Sequence, residues 1–262
     1  MSQDFNKKIS IVGAGNVAYH LCKALIRAGV VPQQLYARSK SKVAIFEQMG
    51  IEVIDDPVKF RAAAVYILAV NDDAITDAAK LLPGDAAIVV HTSGSVAAEI
   101  LEGFAVAYGV FYPLQTFSFK REVDFTAIPV FIQASDETTR LKLENLARML
   151  SKEVYSTNNA DRKLLHLAAV FVSNFSNALY GIASDLLTDH QIPFHHLYPL
   201  ILETAEKSLV VDPLAGQTGP ARRNDQETLA AHLKMLDANA DEQEIYDLLT
   251  NYIINKYHSK QK

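Results

Sequence analysis

The sequence predicts an α/β protein in which an N-terminal, mostly parallel sheet with extra strands is followed by an all-α C-terminal domain. A short apolar strand near the start of the chain ends in a glycine-rich turn and leads straight into a helix. Strands and amphipathic helices then alternate through the first half, a pattern typical of parallel strands with covered faces. After residue 157 only helical patterns follow, so we place one domain at residues 1–157 and a second at residues 158–262.

The glycine-rich turn has the form GxGxxA, which is typical of a Rossmann dinucleotide-binding unit when a strand precedes it and a helix follows. Gly13 permits the tight turn, and Gly15 lacks a Cβ, so the backbone can approach a pyrophosphate. The helix begins with Asn16 and Val17 and presents free N–H groups to the phosphates. A glycine turn without a ligand is the alternative interpretation.

The end of the second strand indicates which dinucleotide binds. NAD sites carry an Asp or Glu here for the ribose 2′-hydroxyl, whereas this chain has Arg38, Ser39 and Lys40. A guanidinium, a hydroxyl and an ammonium suit a 2′-phosphate, and no carboxylate repels it. We therefore expect NADP rather than NAD as the cofactor. A solvated basic turn is the alternative.

The remaining elements of the first half follow from periodicity. Short apolar runs bounded by turn residues predict strands at Lys8–Val12, Gln34–Ala37, Glu52–Ile54, Val65–Val70, Ala87–His91, Val106–Val110, Pro129–Ala134 and Glu153–Ser156. Apolar residues at helical spacing predict helices at Asn16–Ala28, Lys40–Met49, Asp73–Leu81, Val96–Gly103 and Glu137–Leu150.

The same spacing predicts four helices in the second half, at Ala160–Leu187, Phe194–Leu209, Asp225–Leu236 and Asp241–Lys256. On the first of these helices, one arc of roughly 100° carries mostly short polar side chains. Its members are Lys163, His166, Ser173, Asn174 and Asn177. A solvated face is usually rich in Glu and Lys, so this arc favours an enclosed polar cleft over an ordinary amphipathic helix.

A histidine in such a cleft is a candidate general acid, because imidazole exchanges protons near neutral pH. His166 is therefore the first candidate proton donor, and Lys163 is the second, provided that it is desolvated. We expect Ser173 and Asn174 to orient the substrate by hydrogen bonds. A purely structural histidine is the alternative interpretation for His166.

Two loops follow strands of the sheet, where ligands bind in this architecture. Val70 and Asn71 follow the fourth strand and Ser93 follows the fifth, so we expect them to line the cofactor cleft near the ribose and nicotinamide. For Asp72 and Asp73, the favoured interpretation is an N-cap.

In the second half, Arg222 and Arg223 stand just ahead of a predicted helix N-terminus, in a place that suits a carboxylate or phosphate. The equally favoured alternative is a loop followed by a capping box. In the functional interpretation, Arg223 holds the anionic end of a small substrate.

Composition narrows the classes of partner. The 262 residues are 49% hydrophobic and carry a net charge of −5, which argues against nucleic-acid binding. Cys22 is the only cysteine, so a disulfide framework is excluded, and no ligand spacing indicates a metal site. The polar start has no signal-peptide pattern and no apolar run reaches membrane-spanning length. We expect a cytoplasmic protein without a membrane partner.

Several stretches together resemble a known family. They are GAGNVA at 13–18, LAVNDDAI at 68–75, HTSGS at 91–95, YPLQTFS at 112–118, HLAAVFVSNF at 166–175 and TGPARRNDQET at 218–228. The chain resembles the Rossmann-like NADP oxidoreductases that carry a C-terminal DUF2520 domain. These are similar to pyrroline-5-carboxylate reductases, β-hydroxyacid dehydrogenases and F420-dependent NADP reductases. The resemblance implies an NADP-binding domain, a helical domain that supplies substrate contacts, and a homodimer.

Two positions depart from these relatives. Tyr112 stands where the family usually has a histidine, and Leu167 stands where β-hydroxyacid dehydrogenases have an asparagine one turn after a catalytic lysine. The mechanism of those dehydrogenases therefore does not transfer. The sequence favours an NADP(H)-dependent oxidoreductase that moves a hydride to or from a C=O or C=N carbon of a small polar substrate. A non-catalytic NADP-binding sensor or partner-binding protein is the alternative.

Overall fold

The computed structural model describes residues 8–39 and 43–258, and it divides into two compact units, Met1–Asn174 and Phe175–Lys262. The first unit contains eight strands that form one sheet. They are β1 (Ile9–Val12), β2 (Gln34–Tyr36), β3 (Glu52–Ile54), β4 (Val65–Leu68), β5 (Ile88–His91), β6 (Ala107–Pro113), β7 (Val130–Ala134) and β8 (Val154–Ser156). All eight predicted strands are thus present.

The strand order in the sheet is β3-β2-β1-β4-β5-β6-β7-β8. Among the described strands, only the β6–β7 pair is antiparallel; all other neighbours are parallel. The order reverses between β1 and β4, where Ser10 pairs with Gln34 on one side and Tyr66 on the other. A crevice opens at such a switch point, outside the carboxyl ends of the strands. The predicted Rossmann-type sheet with extra strands is confirmed.

Helices cover both faces of the sheet, because β1, β4 and β5 are buried along their whole length and need apolar cover on each side. The helices of this unit are α1 (Asn16–Arg27), α2 (Val43–Glu47), α3 (Ile75–Lys80), α4 (Glu137–Leu150) and α5 (Asn159–Ala169). The Cys22 thiol lies on the buried face of α1, and burial raises its pKa. The thiol therefore behaves as a small apolar group.

The predicted helix at Val96–Gly103 is wrong. The structure has only a short 3-10 turn there, Ala98–Leu101. Ahead of it, the Ser93 hydroxyl accepts hydrogen bonds from the backbone N–H groups of Ser95 and Val96, at 3.1 and 3.0 Å. Side chains that bond to nearby backbone in this way compete with helix formation.

The single long helix predicted at 160–187 also needs correction. Residues Val170–Phe175 form a π-helical segment between α5 and α6 (Ser176–Thr188). Hydrogen bonds in this segment run from residue i to i+5, so it holds an extra residue per turn and rotates the side chains that follow. Lys163 and His166 lie before this segment, so the predicted helical spacing applies to them, but it does not continue unchanged to Ser173, Asn174 and Asn177.

The second unit is helical and also contains α7 (Tyr198–Val210), α8 (Pro220–Arg223), α9 (Gln226–Met235) and α10 (Ala240–His258). A capping box was predicted over residues 224–227; in the structure Asp225 is the N-cap of α9 and accepts a hydrogen bond from the Thr228 N–H at 3.1 Å. The predicted domain boundary marks where strands end along the chain, whereas the compact units separate later, after Asn174.

One helical stretch, Asn159–Thr188, is long and apolar enough to cross a membrane, with a mean hydropathy of 1.2 over its most apolar window. The expectation that no apolar run reaches that length is therefore wrong. Many large apolar side chains of this stretch and of the second unit are exposed. The most exposed are Leu164, Phe171, Val172, Leu200, Leu202, Leu209, Val210, Met235, Leu248 and Tyr252.

Candidate functional site

Gly13 forms the tight turn at the end of β1. Its φ is +112°, a conformation that side chains rarely adopt, and a Cβ there would lie 2.3 Å from the carbonyl oxygen of Ala69. Its N–H donates to the carbonyl oxygen of Tyr36 at 2.9 Å. The glycine thus lets the loop pass directly between the ends of β2 and β4.

Gly15 stands immediately before α1 and has a different role. A Cβ on Gly15 would meet no described atom within 4 Å. The residue is the N-cap of α1, whose first turn has no acidic side chain and, among the described residues, receives no side-chain cap. Asn16 and Val17 are the first two residues of this helix. Open space beside uncapped N–H groups is the arrangement that binds a phosphate.

A cavity of about 500 Å³ opens at this switch point. Its walls come from the glycine turn, the end of β2 and the loop after β4, and they include the predicted residues Arg38, Ser39, Val70 and Asn71. Arg38 and Ser39 are exposed at the end of β2. The predicted Lys40 lies outside the described residues. The volume falls in the range of small-molecule and cofactor sites.

Asp77 of α3 lines the same cavity and was not foreseen from the sequence. A hydrogen bond from Lys80, at 2.8 Å, holds the pKa of Asp77 below its usual value, and the charge of Arg38 adds to the lowering. One end of the cavity therefore carries a carboxylate as well as a guanidinium.

The loop after β5 is held from within by His91. The backbone N–H of Ser93 donates to Nδ1 of His91 at 3.1 Å, and Nε2 faces the carbonyl oxygen of Ala97 at 3.4 Å. Burial, with a contribution from Arg162, lowers the pKa of His91 to about 4. The ring is therefore neutral, with its proton on Nε2. Ser93 is buried, and its hydroxyl serves the turn described above.

The loops after β4 and β5 are joined by a side-chain contact, in which the Ser95 hydroxyl donates to the carboxylate of Asp72. Asp72 lies in a 3-10 turn, Asp72–Ala74, whose N-cap is Asn71. The predicted N-cap role for Asp72 or Asp73 is therefore wrong. The carboxylate instead ties the two loops together at the carboxyl edge of the sheet.

Next to this loop, Tyr112 of β6 meets His166 of α5. The Tyr112 hydroxyl lies 3.1 Å from Nδ1 of His166, and the rings pack edge to face with centroids 6.1 Å apart. A Cβ on Gly94 would lie 2.6 Å from Nδ1 of His166 and 2.8 Å from Cζ of Tyr112. The glycine thus leaves room for the pair. Burial raises the pKa of Tyr112 to about 12, so the phenol keeps its proton.

Arg162, four residues before His166, is fully buried. Its guanidinium donates to the side chain of Gln133, to the carbonyl oxygen of Val96 and to Asn159 Oδ1. Desolvation lowers its pKa. These bonds join α5 to β7 and to the loop after β5, which fixes the height of His166 above the sheet.

The structure gives less information on the other predicted site residues, for which it shows exposure and place in the chain. Lys163 is exposed, so its ammonium is hydrated rather than enclosed. Ser173 is half-buried and Asn174 exposed, both in the π-helical segment. Arg223 is exposed in α8 of the second unit. The roles predicted for these four residues stay predictions.

Sequence reasoning did not foresee Asp77, Gly94 or Arg162 as site residues, and it favoured an N-cap for Asp72. Tyr112 was singled out only as the departure from the histidine usual in the motif it begins. The described residues contain no group of three or more His, Cys, Asp and Glu side chains that could hold a metal ion.

Comparisons with known proteins agree with this geometry. Residues 2–114 match a Rossmann-like domain, and residues 128–253 match a domain of unknown function, DUF2520. Among curated proteins, no match is found. A crystal structure from Bacteroides fragilis, named "putative NADP oxidoreductase", is 38% identical, has a TM-score of 0.89, and is covered over 99% of its length by 96% of this chain.

More distant structures share the fold. A reductive aminase from Aspergillus terreus, solved with NADPH and ethyl levulinate, is 16% identical with a TM-score of 0.69, and covers 95% of this chain and 92% of its own. An imine reductase from Myxococcus stipitatus, solved with NADP+, is 13% identical with a TM-score of 0.65, and covers 94% of this chain and 92% of its own.

Proposed function

The chain belongs to the family of Rossmann-like proteins with a C-terminal DUF2520 domain, and from this premise we propose that it is an NADPH-dependent reductase of a small polar C=O or C=N compound. One observation carries the proposal. The glycine turn between β1 and α1 lies at the carboxyl edge of the sheet, and so does the Tyr112–His166 pair, which carries the proton. A reductase needs these two elements, a place for the coenzyme and a proton donor beside it.

The residues of the cavity fit a dinucleotide. The space beside Gly15 and the uncapped start of α1 suit a pyrophosphate, because the backbone can approach closely and its N–H groups are available. Arg38 and Ser39 would hold the 2′-phosphate that distinguishes NADP from NAD. Val70 and Asn71 would contact the ribose and the adjoining part of the coenzyme. When bound, NADPH supplies a hydride for the carbon of the substrate.

The protein itself supplies the proton and the positions. His166 donates a proton to the oxygen or nitrogen of the reduced group, because it is half-buried beside Gly94 in the loop that follows β5. Ser173 and Asn174 orient the substrate, and Arg223 holds an anionic end where the substrate has one. Lys163 stays the second candidate donor on the condition that a bound substrate removes water from its exposed side chain. The neighbours named as reductases support a reduction of this kind, and the substrate class comes from the polar character of these groups.

We further propose that the protein is a homodimer. Large apolar side chains are exposed on α5 of the first unit and on α6, α7 and α10 of the second, and exposed apolar surface is typical of protein interfaces. A second copy of the chain would cover them. Analytical ultracentrifugation should then give twice the chain mass of 28.9 kDa. A monomer that floats with lipid vesicles would instead assign this surface to a membrane.

The function is tested by coenzyme binding followed by turnover. We expect NADPH to bind in calorimetry, and to be oxidised in the presence of at least one of a panel of 2-oxo acids and cyclic imines. His166→Asn should bind NADPH normally and lose about a hundredfold or more of that turnover, since general acids contribute about 10²–10⁴-fold. His190→Asn, an exposed histidine of the second unit, is the matched control.

The outcomes separate the alternatives. NADPH binding without oxidation of any compound in the panel would favour a non-catalytic sensor. Failure of both NADPH and NADH to bind would refute the proposal as a whole.

A further inference from the structure

We propose that Tyr112 is a positioning residue for His166: its hydroxyl donates to Nδ1 and keeps the neutral imidazole in the tautomer that carries its proton on Nε2. The inference deepens the proposed function and rests on it for its chemical purpose. Its structural content, the tautomer of one ring, can be measured whether or not the protein is a reductase.

The direction of the hydrogen bond follows from the surroundings of Tyr112. The side chain is only 8% exposed, and burial holds its pKa far above neutral, so the phenol keeps its proton at physiological pH. Among the described residues, Nδ1 of His166 is the only hydrogen-bond partner of this hydroxyl, so it is the acceptor for that proton. A donor 3.1 Å from Nδ1 requires a lone pair on that nitrogen. A neutral imidazole has one lone pair and one N–H, so the proton must then be on Nε2.

Packing keeps the two groups in register. Tyr112 lies on β6 in pairing with Phe131 of β7, and the two rings are 6.4 Å apart. On the other side, the Cα of Gly94 approaches both rings so closely that a Cβ would overlap them. The hydroxyl therefore has little freedom to turn away from His166.

Charged and titratable groups surround the pair on α5, on β5 and in the loop after β4. Arg162 on α5 lowers the pKa of Tyr112, and Asp72 in the loop after β4 raises it, so the two partly offset each other. Lys163 on α5 is exposed, and His91 on β5 is buried and neutral. Burial remains the largest influence on the phenol.

The arrangement supplies a balanced proton transfer. As the substrate carbon accepts a hydride, the electron pair of its C=O bond moves to oxygen, and that oxygen takes the proton from Nε2 of His166. The Tyr112 hydroxyl passes its own proton to Nδ1, so the ring remains neutral. Water then protonates Nε2 while Nδ1 returns its proton to the phenolate, which restores the starting tautomer. Because the neutral ring can donate in this way, turnover does not require an imidazolium.

The tautomer is tested by ¹H–¹⁵N NMR on protein labelled at histidine, at about pH 8, where an ordinary imidazole is neutral. His166→Asn identifies the signals by their loss. In the wild-type protein we expect the His166 ring to show an unprotonated Nδ1 and a protonated Nε2. Tyr112→Phe keeps the ring and removes the donor, and should shift the signals towards a mixture of tautomers.

Tyr108→Phe, the same change on the same strand, is the matched control and should leave the His166 signals unchanged. A wild-type ring protonated on Nδ1, or signals that Tyr112→Phe does not move, would overturn the inference. Should Tyr112→Phe fail to fold, the wild-type spectrum alone decides between the two tautomers.

A second readout follows turnover against pH with the first compound that the panel identifies. We expect Tyr112→Phe to lower kcat about tenfold or more above neutral pH and to leave KM nearly unchanged, since only the imidazolium remains as donor. Equal pH profiles would contradict the relay. If no compound is reduced, the proposed function fails, and the NMR result still stands by itself.

Discussion

Gly94 and His166 approach each other so closely that a methyl group on the glycine would lie 2.6 Å from Nδ1 of the imidazole. Gly94→Ala should therefore displace the His166 side chain. We expect turnover to fall about a hundredfold, the effect of misplacing a reacting group by about 1 Å, with NADPH affinity changed little. Gly84→Ala, where a Cβ meets no described atom within 4 Å, is the control. Steady-state kinetics and calorimetry together check this prediction, and undiminished turnover would remove His166 from the site.

The two glycines of the cofactor turn should respond differently to the same substitution. Gly13→Ala meets a backbone oxygen at 2.3 Å and a positive φ, so it should lower the free energy of unfolding by about 3 kcal/mol or more. Gly15→Ala should change stability by less than about 1 kcal/mol, as for other small changes at a helix N-cap.

Gly15→Ala should nevertheless weaken NADPH binding at least about tenfold, because its methyl group fills the space meant for the pyrophosphate. Urea unfolding and calorimetry on both variants separate the two effects. Unaltered NADPH affinity in Gly15→Ala would mean that the coenzyme binds elsewhere.

Arg38 should decide between the two coenzymes. Hydrogen bonds to charged groups contribute about 1.5–3 kcal/mol, so Arg38→Ala should weaken NADPH binding about 10- to 100-fold and NADH binding less than about twofold. Arg148→Ala, which removes an exposed arginine that faces Glu144 of α4 at 3.9 Å, should change neither affinity. Parallel titrations with NADPH and NADH measure the ratio. Equal losses for both coenzymes would assign Arg38 to the shared adenosine moiety.

Asp77 offers a change in the opposite direction. Its carboxylate lines the same cavity as Arg38 and repels added negative charge. Asp77→Asn should therefore raise the preference for NADPH over NADH, by a few-fold at low ionic strength, with the gain shrinking as salt screens the charge. The same titrations at two salt concentrations check this, and a preference that falls would show that Asp77 binds the coenzyme directly.

The buried His91 should make the protein sensitive to acid. Its pKa is about 4 in the folded protein and near 6.5 when unfolded, so the unfolded chain binds more protons between these values. The stabilising contribution is complete above pH 6.5 and is lost as the pH falls towards 4, to the extent of about 3 kcal/mol. His91→Asn retains an acceptor for the Ser93 N–H and cannot be protonated there. Urea unfolding across this range should show a flatter dependence on pH for the variant, and parallel curves would contradict the assignment.

Much of the first unit could be predicted because its signals are local. Each strand of the sheet is a short apolar run, and the glycine turn states its own geometry through Gly13 and Gly15. The prediction of a helix at 96–103 was wrong because the side chains of His91 and Ser93 form competing hydrogen bonds with the backbone. The spacing of apolar residues carries no information about such bonds. The π-helical segment was not predicted, because a single widened turn does not change the spacing of apolar residues enough to be recognised.

Of the Tyr112–His166 pair, only His166 could be predicted from the sequence as a proton donor. His166 stood out as a histidine among short polar residues, but its partner Tyr112 lies 54 residues away on a strand. Their contact depends on how α5 lies over the sheet, which the buried Arg162 fixes through Gln133 and Val96. A single arginine in a helix reads as a surface residue, so this long-range arrangement was hidden from the sequence.

The buried thiol of Cys22 provides a chemical probe of local opening around α1. Cys22 is the only cysteine of the chain, and its thiol lies on the buried face of α1, the helix whose first turn would bind the phosphates. A thiol reagent can reach the sulfur only when α1 separates from the sheet. The rate of alkylation therefore measures how often this part of the fold opens. A ligand that binds at the N-terminus of α1 would lower the rate of alkylation of Cys22. Its binding could therefore be measured without any catalytic assay.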